Sequence, residues 1–229
     1  GGGGVEVADG RGRTARATCA ICTVPLPVLQ RGDLRIEPPL PTRHAEAVEA
    51  VRVGNALKVL LRFTRRFWPA DFFDAVCADC FMPELWLSPA ARMMAPDAPP
   101  PYTMVGFVAG ERSRRVGKLP HDEIARRTLL QLDAMFGTAD DPAPASASCD
   151  GHLVKDWAEQ PFTHGAYSHP TLGADGKRQA LATAAHGGAL FFAGEATHTG
   201  INPCIQGAME TGERAADLAL KMLRPRSKL

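Results

Sequence analysis

The sequence predicts a chain of mixed α/β character, and three stretches carry that expectation. From Asn55 to Phe63, Leu57, Val59, Leu61 and Phe63 alternate with Lys58, Leu60 and Arg62, the period of two that marks a strand with one buried face. Between Asp122 and Phe136, Ile124, Leu129, Leu132, Met135 and Phe136 form an apolar stripe at helical spacing, with Gly137 just after it. In the last third an apolar strand, Ala189 to Ala193, runs into Gly194-Glu195, then a loop from Ala196 to Gln206, then a helix from about Gly207 to Leu223.

The other elements follow in chain order. Val5–Ala8 and Thr14–Val24 flank Asp9-Gly10-Arg11-Gly12, so a hairpin is expected; Asp-Gly between strand-like runs is a strong turn signal. The same turn spells G-x-G-x-x-A at Gly10, Gly12 and Ala15, but it opens a strand, whereas a phosphate-binding loop must open a helix so that free N–H groups meet the anion. Pro25 and Pro27 end the second strand. After the proline-rich run 37–41, a helix is expected from about Thr42 to Val51, capped by Thr42 and closed by Gly54. Residues 92–101 read as a loop, Tyr102–Ala109 as a strand, and 138–148 as a low-complexity connector. The helix from about Gly207 carries small residues at Gly207, Ala208, Gly212, Ala215 and Ala216, a face suited to tight packing.

The 229 residues are 45% hydrophobic, enough to bury a sizeable core. Lys and Arg number 26 against 25 Asp and Glu, a net charge of +1, so no broad field exists to hold a nucleic acid. The longest apolar runs fall far short of the roughly 20 residues that cross a bilayer, and no membrane span is expected. Two C-x-x-C pairs, Cys19/Cys22 and Cys77/Cys80, raise a tetrathiolate metal site. Residues 23–76 separate them, where a zinc ribbon has roughly 15–20, and Cys19 and Cys22 face opposite sides of an extended run. No metal is expected; the thiols read as unpaired in a reducing compartment.

A glycine at a strand end lets the backbone approach a ligand, and a helix N-terminus favours an anion. The pattern alone fits an ordinary strand–loop–helix crossover better. The residues add more. Phe192-Ala193-Gly194-Glu195-Ala196-Thr197-His198, followed by Ile205-Gln206-Gly207-Ala208-Met209-Glu210-Thr211-Gly212-Glu213-Arg214, closely resembles the C-terminal flavin motif of the flavin-containing amine oxidases, which include polyamine, monoamine and histone-lysine oxidases. Thr23-Val24-Pro25-Leu26-Pro27, Val53-Gly54-Asn55-Ala56-Leu57-Lys58-Val59 and Trp157 with Gly165-Ala166-Tyr167-Ser168 resemble three further stretches of that family, in the same order.

The resemblance implies an α/β FAD-binding body built from both ends of the chain (1–36 and 151–229) around a substrate domain of mixed sheet and helices (37–150). It implies that Gly194 and Glu195 lie by the ribityl-diphosphate part of FAD, Cys204 and Ile205 under the pyrimidine edge, and Trp157 beside the isoalloxazine. Lys58, which alone would read as a side chain reaching solvent, becomes the lysine that holds a water at flavin N5. Tyr167 becomes the aromatic lining the approach of the substrate amine. Cys204 stands where monoamine oxidases have a second tyrosine, and Ala166 where they attach FAD through cysteine, so FAD is expected to be non-covalent. The reaction expected from the resemblance is FAD-dependent oxidation of an amine, here a polyamine, by hydride transfer to N5, with release of an aldehyde and, through O2, hydrogen peroxide.

The family's G-x-G-x-x-G segment has no counterpart here and no initiating Met is present, so the chain is expected to be the C-terminal part of a longer protein. The last three residues, Ser227-Lys228-Leu229, spell the address read by the peroxisomal import receptor, which places the protein in the peroxisome. Two other readings stay open: an oxidase of monoamines, amino acids or histone lysines, and a non-catalytic fragment that binds a partner.

Overall fold

A computed structural model describes residues 4–88, 101–169, 171–201 and 203–224. Residues 92–100 of the loop expected at 92–101, and the address Ser227-Lys228-Leu229, lie outside the described residues. The chain forms two compact units, residues 1–54 with 161–229, and residues 55–160. The expected domain limits, 36/37 and 150/151, fall inside these units.

In the first unit β1 (Val5–Ala8) and β2 (Thr14–Ala17) pair antiparallel, Val5 opposite Ala17 and Ala8 opposite Thr14. The Asp9 carboxylate accepts hydrogen bonds from the N–H groups of Arg11 and Arg13, closing the turn. The single strand expected over Thr14–Val24 is two strands. β2 is exposed along its length, and after Thr18-Cys19 the chain leaves the hairpin as β3 (Ala20–Cys22), which pairs in parallel with β11 (Leu190–Phe192). That parallel partner, distant in sequence, breaks the run.

α1 (Leu26–Gln30), not anticipated, starts directly after Pro25 and carries Pro27 in its first turn, where a missing N–H is harmless. α2 (Thr42–Ala50) has Pro41, not Thr42, at its cap position; Thr42 is already helical and makes no capping bond. The proline φ of −53° leads directly into the helix. Nor does Gly54 close it: Val51 caps α2, and β4 (Arg52–Val53) intervenes, paired with β10 (Ser168–His169). Ala47, Val48 and Val51 pack with Leu26 and with Leu181 of α6 (Lys177–Leu181). The last helix, α7 (Ile205–Leu223), buries Gly207, Thr211, Ala215 and Ala219, one side chain every fourth position, while Ala216 is exposed. Ala215 and Ala219 pack on Phe191 and Ala193.

His44 on α2 is fully buried; its Nε2 lies 3.1 Å from the Thr183 carbonyl and its Nδ1 is buried without a partner. A carbonyl only accepts, so Nε2 carries a proton. Burial, the largest cause, lowers its pKa from the ordinary 6.5; the Thr183 bond opposes this, and the charges of Arg43 and His186 add to it. The unfolded chain therefore binds the proton more readily, so stability is full above about pH 6.5 and is lost as pH falls towards the lower folded value. We expect the urea midpoint of the chain, followed by circular dichroism, to drop between pH 7.5 and 5.5, and His44→Asn to flatten part of that drop.

The second unit is built on a five-stranded antiparallel sheet in the order β6 (Asp74–Val76), β7 (Glu84–Leu87), β8 (Tyr102–Ala109), β5 (Ala56–Phe63), β9 (Cys149–Asp156). Leu57, Val59, Leu61 and Phe63 are fully buried, as their alternation requires. They share a core with Ile124, Ala125 and Leu132 of α4 (His121–Phe136). Within the expected stripe, Leu129 and Phe136 are only partly buried and Met135 is exposed. Two helices were not anticipated. α3 (Gly110–Val116) follows β8 directly, and α5 (Pro144–Ser148) lies within the supposed connector. The Asp133 carboxylate creates α5: it accepts from the N–H groups of Ala145 and Ser146 and from the Ser146 hydroxyl, supplying the cap that the Ala/Ser/Pro run lacks. Among the described residues no helix is long and apolar enough to cross a membrane.

Candidate functional site

The parallel strands β3 and β11 end side by side. Their carboxyl ends open on a cavity of about 240 Å³ lined by residues 22–27 and 192–197 together with Gly165 and Ala166. Ligands of α/β sheets bind outside the carboxyl ends of parallel strands, so the position itself is informative. At its rim Gly194 has φ +135°, a conformation L side chains rarely adopt, and no atom lies within 4 Å of where a β-carbon would stand. The backbone there faces open space.

α7 and its neighbours hold this turn in place. The Gly194 N–H donates to the Thr211 hydroxyl at 2.9 Å. Arg214 donates to the carbonyls of Phe192 and Thr197, each at 3.0 Å, and to the Thr197 hydroxyl at 2.9 Å, tying the end of β11 to the 195–197 turn. Burial lowers the pKa of this guanidinium, and the three bonds offset that desolvation.

Glu195 has a partner within the chain. Its carboxylate accepts from the Ser168 N–H at 3.0 Å and from the Ser168 hydroxyl. The Glu195 carbonyl accepts from Arg178 at 3.3 Å. Tyr167, one residue before Ser168, is 41% exposed, and its carbonyl accepts from Gly54 N–H at 2.7 Å, while Ala166 N–H donates back to the Gly54 carbonyl at 2.9 Å. Glu195, Ser168 and Gly54 thus fix the backbone on either side of Tyr167.

α7 begins at Ile205, two positions earlier than the sequence suggests, because Cys204 serves as its cap: the thiol accepts from Gly207 N–H at 3.5 Å. A thiol is a weak acceptor, which is why this start is hard to read. Ile205 is 77% exposed. Gly207 is required by packing, since a β-carbon there would stand 2.2 Å from the Ile201 carbonyl oxygen. Gly207→Ala is expected to destabilise the chain by about 1–3 kcal/mol, the usual cost of overpacking, read as a lower urea midpoint; an unchanged midpoint would show that the helix start yields freely.

Lys58 and Trp157 belong to the second unit. Lys58 points to the sheet face opposite Leu57 and Val59, between Phe107 on β8 and Lys155 on β9. Its Nζ lies 5.6 Å from the Trp86 ring centre, and Trp86 and Phe107 are 5.7 Å apart. It is half-buried among aromatic rings. Trp157 follows β9; its N–H donates to the Ala56 carbonyl at 3.0 Å and Lys155 Nζ lies 5.9 Å from its ring. Gly194, Glu195, Tyr167, Cys204 and Ile205 belong to the first unit. Among the described residues no group of three or more His, Cys, Asp or Glu side chains could hold a metal ion.

The sequence model of the family described as flavin containing amine oxidoreductase matches residues 1–220. The chain belongs to this family. A flavin is the cofactor that the family implies. The chain is 29% identical over 226 residues to the peroxisomal N(1)-acetyl-spermine/spermidine oxidase of Bos taurus, which covers 90% of this chain and 43% of that relative. It is 29% identical over 216 residues to polyamine oxidase 2 of Arabidopsis thaliana, covering 93% of this chain and 41% of the relative. It is also 29% identical over 220 residues to lysine-specific histone demethylase 1 homolog 1 of Oryza sativa subsp. japonica, with 94% and 25% covered. The chain thus spans less than half the length of these relatives.

The cavity fits part of such a cofactor. An open glycine turn at the ends of parallel strands suits a ligand whose sugar or phosphate arm runs along the backbone, and about 240 Å³ is below the roughly 300–1,000 Å³ that holds a whole small molecule. Reading the sequence missed the residues that support the turn. Ser168, Arg178, Thr211 and Arg214 act through partners far away in the chain. Only the i, i+3 spacing of Thr211 and Arg214 on one helix hinted at a shared face.

Proposed function

We propose that the chain is the C-terminal part of an FAD-dependent oxidase that acts on polyamines. The observation that carries this reading is the glycine turn at Gly194, open to the cavity at the paired ends of β3 and β11. With it go the family membership and the two polyamine-oxidising relatives. In this reading Gly194, Glu195, Cys204 and Ile205 contact FAD, which is held without a covalent link since Ala166 offers no thiol, and Trp157 packs beside it. A bound flavin supplies the two-electron acceptor for amine oxidation.

The chain's own residues bind and orient. The exposed Tyr167 ring gives the amine an aromatic face that favours partial positive charge. Lys58 Nζ holds a water. The α7 N-terminus, beginning at Ile205, favours negative charge near it. The oxidised amine is cleaved by water to an aldehyde and a shorter amine, and O2 leaves as hydrogen peroxide. In this reading residues 1–36 with 151–229 serve the cofactor, and residues 37–150 serve the substrate. Equal identity to the histone demethylase supports a second reading, in which the amine is a methylated lysine side chain.

A peroxide-coupled assay of the full-length protein on spermine, spermidine, their acetylated forms, simple monoamines and a methyl-lysine peptide separates these readings. Turnover of polyamines is the expected result; turnover of the peptide alone would replace the substrate assignment. Ser227-Lys228-Leu229 is the tripeptide that the import receptor reads at a chain end, so a full-length fluorescent fusion is expected in peroxisomes. Deleting Leu229 should leave the fusion in the cytosol. Peroxisomal targeting that survives the deletion would overturn the assignment.

A further inference from the structure

Cys77 and Cys80 stand at the two ends of a tight turn that joins β6 to β7. The Cys80 N–H donates to the Cys77 carbonyl at 3.0 Å, and the Cys77 N–H donates to the Pro83 carbonyl at 2.7 Å. A turn closed from i to i+3 brings its end Cα atoms within about 7 Å, the range a disulfide spans. Both thiols are free and partly accessible. Two neighbours fix the turn. Arg112 on α3 donates to the carbonyls of Ala78, at 2.6 Å, and Cys80. Met82 is fully buried in the core, and its N–H donates to the Gln131 side chain at 2.7 Å. The other C-x-x-C pair lacks this geometry. Ala20–Cys22 is an extended strand, and a rise of about 3.3 Å per residue carries Cys22 roughly 10 Å from Cys19.

We propose that Cys77 and Cys80 form a redox-active dithiol that a hydroperoxide converts to a disulfide. One thiolate attacks hydrogen peroxide, the O–O bond breaks, and a sulfenic acid and one water form. The second thiol then attacks that sulfur, the S–O bond breaks, and the S–S bond forms with release of a second water. In sum, the two thiols lose two electrons and two protons, and the peroxide is reduced to two waters. Burial, and then the adjoining Cys80 sulfur, push the Cys77 thiol up from its ordinary value. Cys77 therefore stays protonated near neutral pH, so Cys80 supplies the attacking thiolate and Cys77 is the resolving thiol. The chemistry stands apart from the oxidase reading, because the turn is complete within residues 74–112 and any hydroperoxide serves.

The test is made on the full-length protein in its native state. It is treated with hydrogen peroxide, quenched in acid, alkylated with N-ethylmaleimide and digested with trypsin. The tryptic peptide Phe67–Arg92 contains Cys77 and Cys80 and no other cysteine. We expect this peptide to lose two hydrogens and take no adduct, and to take two adducts when dithiothreitol precedes alkylation. Cys77→Ser should abolish the two-hydrogen loss and leave Cys80 to accumulate oxygen. Two adducts after peroxide treatment, or added oxygen in the wild-type peptide without the two-hydrogen loss, would overturn the proposal. Because peroxide is supplied, the outcome is independent of whether any amine is oxidised.

Discussion

Lys58→Met in the full-length protein is expected to lower the turnover number on the preferred amine by about 10²–10⁴-fold, the range that a positioned proton-transferring group contributes. Methionine keeps the length and apolar stem of the lysine and removes the ammonium. The fold should not suffer: Lys58 lies directly opposite Lys155 across β5 and β9, and like charges so placed repel, so removing one relieves strain in the sheet. A loss of activity at unchanged urea midpoint and unchanged flavin absorbance would therefore be chemical in origin. Retention of wild-type turnover under those conditions would remove Lys58 from the reaction, and with it the role that its place among Trp86 and Phe107 suggests.

Phe63→Ala is expected to destabilise the second unit by about 3–5 kcal/mol, the cost of emptying a fully buried aromatic site. The ring makes edge contacts with Phe67 at 5.0 Å and Trp68 at 5.8 Å, and both would lose a partner. Trp68, Trp86 and Trp157, the three tryptophans of the chain, all lie in residues 55–160, so fluorescence reports this unit. With a urea dependence of about 1–3 kcal/mol per molar, the midpoint should fall by more than 1 M. The neighbouring Arg62→Ala provides the contrast. Arg62 is exposed and pairs with Asp150 at 2.7 Å on the surface, so its removal should cost no more than about 1 kcal/mol. Comparable losses at the two positions would mean that the alternating pattern does not decide which face of β5 is buried.

The lengths of β8 and α4 and the buried face of β5 were legible because each depends on a period that its own residues carry. The reading failed where the partner is distant. Thr14–Val24 looks uniform, yet Ala20–Cys22 belongs to a different sheet because β11 lies beside it. The Ala/Ser/Pro run at 138–148 contains no signal for α5, since its cap is Asp133 on another helix. β9 reads poorly as a strand because it is an edge strand, with only Val154 fully buried.

The candidate site divides in the same way. The family signature, Gly194-Glu195 before a helix of small residues, is written in contiguous sequence, and it fixed the family together with the need for glycine at a strand end. Only the tertiary structure decided that Glu195 binds Ser168, that Arg214 ties β11 to the turn after it, that Cys204 caps α7, and that one C-x-x-C pair is a closed turn while the other is not. Sequence periodicity records which way a side chain points along its own element. Hydrogen bonds between residues far apart in the chain depend on where the elements come to rest, and no local pattern records that.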